Sequence, residues 1–148
     1  MEPERSAAVL GERLGHVFAD VLLLERALTH RSWANEHGPA VDNEGLAFLG
    51  DAVLALVVAE RLWRGQPDQS VGVLTPERAD LVSGANLARW AAQIGLGPHL
   101  RLGRGERLQG GESRESVLAT AIEAVLGVVY LEGGLSAAQR SVAALAMW

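Results

Sequence analysis

Two isolated carboxylates are the side chains of this sequence best placed to do chemistry. Asp51 and Glu123 each stand in a long apolar stretch, NEGLAFLGDAVLALVV and ESVLATAIEAVLGVV. A carboxylate buried among apolar side chains is costly unless it is paired, hydrogen-bonded or bound to a metal. One or two carboxylates can hold Mg²⁺ when water and phosphate oxygens complete its coordination. The two acids therefore predict either a metal site or ordinary pairing with arginine and backbone amides.

Helical spacing places the two acids and their neighbours on shared faces. Glu44, Ala47 and Asp51 stand at i, i+3 and i+7 of one predicted helix, and Thr120 and Glu123 stand at i and i+3 of another. Residues three or four apart lie on the same side of a helix. If the two helices pack side by side, we expect Asp51 and Glu123 to converge.

The apolar periodicity is helical throughout, which predicts an all-α fold. Residues 44–64 are apolar on nearly every side, so they predict a central helix packed on several sides and ended by Gly65 and Pro67. A second strongly apolar helix is predicted from residue 113 or 114 to residue 131. The other predicted segments are short helices around 9–17 and 22–29, a polar loop at 35–41, a helix opened by Thr75-Pro76-Glu77, a helix at 85–94, an exposed loop at 101–112 and a last helix capped by Ser136.

Composition limits the classes of protein to which the chain can belong. A length of 148 residues with 49% hydrophobic content predicts a single domain over residues 1–148. The net charge of -5 argues against RNA binding by bulk electrostatics, so any RNA must meet a local patch. The same charge disfavours an anionic membrane surface. The sequence has no apolar run typical of a signal peptide or membrane span, which predicts a cytoplasmic protein without a membrane partner. It has no cysteine, which excludes disulfides and cysteine zinc sites.

The stretch NEGLAFLGD resembles the signature of the ribonuclease III family, N-E-R-L-E-F-L-G-D. The segments ERLGHVF, LLLERALTHRSWANE, RADLVSGANLA and ESRESVLATAIEAVLGVVYLEGG resemble successive parts of the nuclease domain of that family. The resemblance implies the all-α endonuclease-domain fold, a homodimer, and double-stranded RNA lying in a valley between the subunits. It also places Phe48 where the family has an aromatic residue that inserts into the partner subunit. The separate double-stranded RNA-binding domain of many members is not expected in this chain, so the valley would bind RNA alone.

The resemblance also implies which residues would form a metal site. Active members hold magnesium with four carboxylates per site, and the metal activates water for attack on a phosphodiester. In this sequence those positions are Ala47, Asp51, Thr120 and Glu123, so two of the four acids are replaced. Two further acidic positions of the family fall at about Val71 and Val73. Asp51 and Glu123 would leave at most a weak Mg²⁺ site.

Several other residues are candidates for contact with RNA. Asn43 and Glu44 match signature positions near the scissile site, although Glu44 could equally be an N-terminal acid that faces the helix dipole. Arg104, Arg107 and Arg114 form a loosely basic segment that could meet phosphate oxygens or be solvated.

Three hypotheses follow for function. The first is a non-catalytic or weakly active homodimer that binds structured or double-stranded RNA. The second is a slow or altered endoribonuclease that uses Asp51 and Glu123 with a divalent metal. The third is a dimer whose former nuclease cleft serves a small molecule or a protein partner. The sequence does not separate them.

Overall fold

A computed structural model describes residues 2–148, and within that range the chain is helical apart from turns, short 3₁₀ segments and one isolated bridge between Thr29 and Arg101. This confirms the all-α prediction. The α-helices are α1 (Pro3–Leu14), α2 (Val21–Ala27), α3 (Arg31–His37), α4 (Glu44–Gly65), α5 (Val71–Leu81), α6 (Gly84–Gln93), α7 (Arg104–Leu108) and α8 (Glu115–Ala146).

The core is built on the packing of α4 along α8, with α6 against another side of α8. Leu54 and Val58 of α4 are fully buried, as are Ile122 and Val125 of α8. Burial of large aliphatic side chains contributes about 1.5–3 kcal/mol each, so this helix pair stabilises the domain as well as positioning the two acids.

Two glycines allow α4 and α8 to touch at the level of the backbone. A Cβ atom added at Gly50 would lie 1.7 Å from the carbonyl oxygen of Glu123, and one added at Gly127 would lie 2.6 Å from the carbonyl oxygen of Leu46. Only glycine leaves room for so close an approach. Because Asp51 follows Gly50 directly, the same crossing brings Asp51 beside Glu123.

Helix α8 bends at Gly134, which has φ 72° and ψ -167°. This break separates two helical stretches, which confirms the predicted pair of helices, although the first stretch runs past residue 131 and the second begins before the predicted cap at Ser136. By length and composition α8 could cross a membrane, but 61% of its apolar window is buried inside the protein. It serves as the central core helix of the fold.

Three other segments differ from the sequence-based predictions. Helix α3 extends into the predicted loop at 35–41, and α7 lies within the predicted loop at 101–112. Helix α5 begins at Val71 after Ser70, so Pro76 lies inside the helix and does not open it. None of the side chains of α5 is buried, and α3 and α7 are only seven and five residues long. Hydrophobic periodicity therefore carries little signal for any of them.

Candidate functional site

One shallow cavity between α4 and α8 collects the predicted catalytic positions. It has a volume of about 340 Å³ and is open to solvent. Asp51 and Glu123 meet in it, as the helical spacing predicted. The residues that line it are Glu44, Ala47, Phe48, Asp51, Thr120 and Glu123.

The two acids in this cavity interact directly. Burial, a hydrogen bond with Asp51 and the nearby charge of Asp51 raise the pKa of Glu123 from 4.5 to about 8. Two carboxylates that share a site cannot both ionise easily, because like charges repel. Near neutral pH Glu123 therefore keeps its proton.

The donor atoms of this cavity limit what metal it could hold. Ala47 contributes none, and Thr120 contributes a hydroxyl. Within residues 2–148, no group of three or more His, Cys, Asp or Glu side chains is arranged to hold a metal ion. The chemistry of the remaining oxygen donors fits Mg²⁺ only if waters or substrate phosphates complete its coordination. The proton on Glu123 would have to leave before that carboxylate could act as a ligand.

Replacing Glu123 with Gln is expected to change how stability depends on pH. In the unfolded chain Glu123 loses its proton near pH 4.5, but in the folded protein it keeps the proton up to about pH 8. The folded state therefore binds more protons across this window, and the stability that this provides is lost as pH rises. We expect the free energy of unfolding of Glu123→Gln, relative to wild type, to increase from about pH 5 to about pH 9.

Urea denaturation at several pH values, with a chelator present, measures this difference. Glu115→Gln removes an exposed acid from the same helix and is the matched control. Parallel stability curves for Glu123→Gln and wild type would show that Glu123 ionises normally in the folded protein.

Asn43 and Glu44 lie at the start of α4 but differ in exposure. Asn43 is only 2% exposed, and its side-chain amide donates to the carbonyl of Ala27 at 3.1 Å. In this conformation the Asn43 side chain braces α4 inside the fold, and its contact with RNA stays a prediction. Glu44 is exposed, lines the cavity and approaches Arg31 at 3.8 Å.

The predicted basic segment is ordered and largely neutralised by its own acids. Arg107 pairs with Glu112 at 3.1 Å, and Arg114 pairs with Glu106 at 3.0 Å. Arg104 is exposed at the first position of α7 and forms no ion pair within residues 2–148. Of the three predicted arginines, Arg104 is therefore the one whose charge is most available to a phosphate.

One side of α4 carries large apolar side chains that nothing in the described chain covers. Phe48 is 84% exposed, Leu56 is 55% exposed and Trp63 is 56% exposed. Their spacing of eight and seven residues places them on one face of the helix, which we call the α4 stripe. The prediction that α4 packs on several sides is therefore incomplete for a single subunit. An exposed apolar row of this kind is typical of a protein interface.

Comparisons with known proteins agree with this geometry. A family profile described as Ribonuclease-III-like matches residues 20–147. The chain belongs to the ribonuclease III family. It is 48% identical over 132 residues to Ribonuclease 3 of Caldanaerobacter subterraneus subsp. tengcongensis, a match that covers 88% of this chain and 58% of the relative. It is 49% identical over 142 residues to Ribonuclease 3 of Symbiobacterium thermophilum, covering 96% of this chain and 60% of the relative. The chain thus spans about three fifths of the length of these relatives.

Solved structures show the same ribonuclease III nuclease-domain fold. The nuclease domain of ribonuclease III from Campylobacter jejuni superposes with a TM-score of 0.86 at 35% identity, covering 95% of this chain and 93% of that domain. A second structure of that domain gives 0.87 at 35% identity, covering 94% and 95%. It was described for structural flexibility in a region involved in dimer formation.

Sequence reasoning missed the two glycines that set the geometry of this ribonuclease III site. Gly50 interrupts an otherwise apolar helix immediately before Asp51, and Gly127 does the same four residues after Glu123. A glycine inside a helical pattern lowers helix stability, so its presence usually has a packing reason. That signal was available in the sequence. The sequence does not show which backbone segment packs against each glycine.

Proposed function

We propose that this chain forms a ribonuclease III-like homodimer that binds structured or double-stranded RNA with little or no catalysis. One observation carries the proposal. The cavity where the four metal-binding carboxylates of the family would lie holds two acids, Asp51 and Glu123, together with Ala47 and Thr120. Catalytic groups that act as a unit typically contribute factors of about 100 or more each, so losing two removes most of the rate enhancement.

The altered cavity suits binding better than cleavage. Four ionised carboxylates would repel an RNA phosphate unless cations neutralised them, whereas this cavity holds two carboxyl groups at those positions and Glu123 keeps its proton up to about pH 8. Arg104 offers an unpaired positive charge on α7. Because the whole chain carries -5, we expect RNA binding to be weak and to fall steeply with added salt.

The α4 stripe supports the homodimer. Phe48 lies at the rim of the cavity and is also the most exposed residue of the stripe. A second subunit that covers the stripe would place its own cavity near the first. Two cavities in one dimer would give a duplex two contact points, so dimerisation and RNA binding would depend on each other.

A second candidate function is slow, metal-dependent cleavage of RNA. The observation that favours it is that Asp51 and Glu123 line the same cavity, which gives the minimum donor set for a weak Mg²⁺ site. A cavity repurposed for a small molecule is less well supported. The cavity is shallow and acidic, whereas ligand pockets are typically enclosed and mostly apolar.

Replacing Phe48 with Asp tests the dimeric RNA-binding function. The side chain is exposed in the single subunit, so the variant should fold, but a charge within an apolar interface should separate the subunits. We expect a monomer by sedimentation velocity and at least about tenfold weaker binding to duplex RNA in a chelator.

Val17→Asp is the matched control, because Val17 is 90% exposed but lies outside the α4 stripe. Wild type that binds no duplex RNA, or that cleaves it at a rate ordinary for enzymes, would refute the proposal. A Phe48→Asp monomer that binds RNA as tightly as wild type would refute the role of the dimer.

A further inference from the structure

A second pocket lies between the C-terminal half of α4 and the part of α8 that follows Gly134. Its volume is about 390 Å³, within the range of ordinary ligand sites. Arg61 and Arg64 reach it from α4, Arg140 reaches it from α8, and Trp148 contributes an aromatic ring. Three guanidinium groups around one pocket are notable in a chain whose net charge is -5.

The charges of this pocket are only partly neutralised. Glu60 accepts hydrogen bonds from Arg64 at 2.9 Å and from Gln139 at 2.9 Å, so its carboxylate is already occupied. Arg61 and Arg140 form no ion pair within residues 2–148. The one acid and three arginines that line the pocket leave an excess of two positive charges facing the same space.

The aromatic ring adds a second kind of contact. The guanidinium of Arg61 lies 4.8 Å from the centroid of the Trp148 ring, and Trp148 remains 39% exposed. Because Arg61 lies over one face of the ring, a nucleobase would stack on the opposite face, whatever the identity of the base. Guanidinium groups bind phosphate oxygens through paired, charge-assisted hydrogen bonds. The pocket therefore offers partners for a phosphate and for a planar ring side by side.

The pocket is separate from the acid pair and from the proposed dimer interface. Asp51 and Arg61 stand ten residues apart on α4, which at about 1.5 Å per residue places them about 15 Å apart along the helix axis. At about 100° per residue, Arg61 lies on the opposite side of α4 from Phe48. A partner subunit on the α4 stripe would therefore leave this pocket open.

We propose that this pocket binds a phosphate group attached to a nucleoside. The arginines hold the phosphate and Trp148 stacks on the base. Two sources share this chemistry, namely a free nucleoside monophosphate and the phosphorylated 5′ end of an RNA strand. The site is independent of the acid pair, so it does not need a metal at Asp51 and Glu123.

Isothermal titration calorimetry in low-salt buffer with a chelator tests the proposal. The probes are adenosine monophosphate, adenosine, inorganic phosphate, and a short single-stranded RNA with either a 5′ phosphate or a 5′ hydroxyl. We expect wild type to bind the monophosphate more tightly than either adenosine or phosphate alone. Preference for 5′-phosphorylated RNA over the monophosphate would assign the site to strand ends, and the reverse would assign it to free nucleotides.

Variants distinguish binding in the pocket from non-specific attraction to the charge of the protein. Arg61→Gln/Arg140→Gln should weaken binding of the monophosphate by at least about tenfold, since two charge-assisted contacts are lost. Trp148→Leu should weaken binding of the monophosphate but not of inorganic phosphate. Arg5→Gln/Arg78→Gln removes the same charge from exposed positions outside the pocket and is the control.

Circular dichroism verifies that each variant remains folded. Absence of monophosphate binding by wild type overturns the proposal. Equal losses in the pocket and control variants, or no loss in Arg61→Gln/Arg140→Gln, overturn it as well. Because Phe48 and the acid pair are unchanged in all these variants, duplex binding by the dimer can fail without affecting this result.

Discussion

Replacing Ala47 with Glu and Thr120 with Asp together is expected to raise magnesium-dependent cleavage of duplex RNA by at least about 100-fold over wild type. Both residues line the cavity that holds Asp51 and Glu123, so the new side chains would complete a set of four carboxylates around one space. Four carboxylates attract a dication strongly. Once bound, the dication lowers the pKa of each carboxylate around it. The measurement is the initial rate of cleavage of a long duplex RNA with Mg²⁺ and with Mn²⁺.

Ala47→Gln/Thr120→Asn is the matched control, because it adds nearly the same volume without the charge. It should remain inactive. The acidic variant should also show a larger rise in melting temperature on addition of Mg²⁺ than the control, because four carboxylates without a metal repel one another.

The possible outcomes discriminate among the functions proposed above. Wild type that cleaves as fast as the acidic variant would show that Ala47 and Thr120 do not limit activity. An acidic variant that binds Mg²⁺ but neither binds nor cleaves RNA would show that the RNA surface has been lost, contrary to the proposed function. Cleavage by the acidic variant alone would show that only the metal site has changed.

Replacing Gly50 with Ala is expected to destabilise the domain by about 3 kcal/mol or more. The added methyl group would lie 1.7 Å from the carbonyl oxygen of Glu123, and no rotation of a side chain can relieve a contact with backbone. Helices α4 and α8 would have to separate, which disturbs the largest packed interface of the core and moves Asp51 away from Glu123. Urea denaturation followed by circular dichroism measures the loss.

Gly65→Ala is the control for the effect of alanine itself. Gly65 is the last residue of the same helix, and a Cβ added there meets no atom within 4 Å. Alanine is favoured over glycine in a helix by up to about 1 kcal/mol, so this variant should be neutral or slightly stabilised. A Gly50→Ala protein as stable as Gly65→Ala would mean that α4 and α8 do not approach as closely as the structure shows.

The sequence determined the fold class and the location of the candidate site. Long apolar stretches with 3.6-residue periodicity fixed α4 and the first part of α8, because burial of aliphatic side chains dominates their energetics. The i, i+3 and i+7 spacing placed Glu44, Ala47 and Asp51 on one side of a helix, which is a local property of the chain. The signature NEGLAFLGD pointed to the family that the comparisons establish.

The short or exposed elements could not be located in the same way. Helices α3, α5 and α7 bury few side chains, so their sequences carry weak periodicity. In the basic segment, the sequence likewise does not show which arginines are neutralised by ion pairs. Its sequence gives four arginines within residues 101–114, but only the folded loop pairs Arg107 with Glu112 and Arg114 with Glu106.

By itself, then, the sequence determined the fold class and which residues share a helix face with Asp51 and with Glu123. Only the tertiary structure decided that Asp51 and Glu123 line one cavity, that Asn43 is buried, and that Arg61, Arg64 and Arg140 surround a second pocket. The physical reason is the same in each case. Helical spacing is set within a few residues of chain, whereas desolvation, ion pairing and backbone contact at Gly50 depend on atoms that are distant in sequence and meet only when α4 packs on α8.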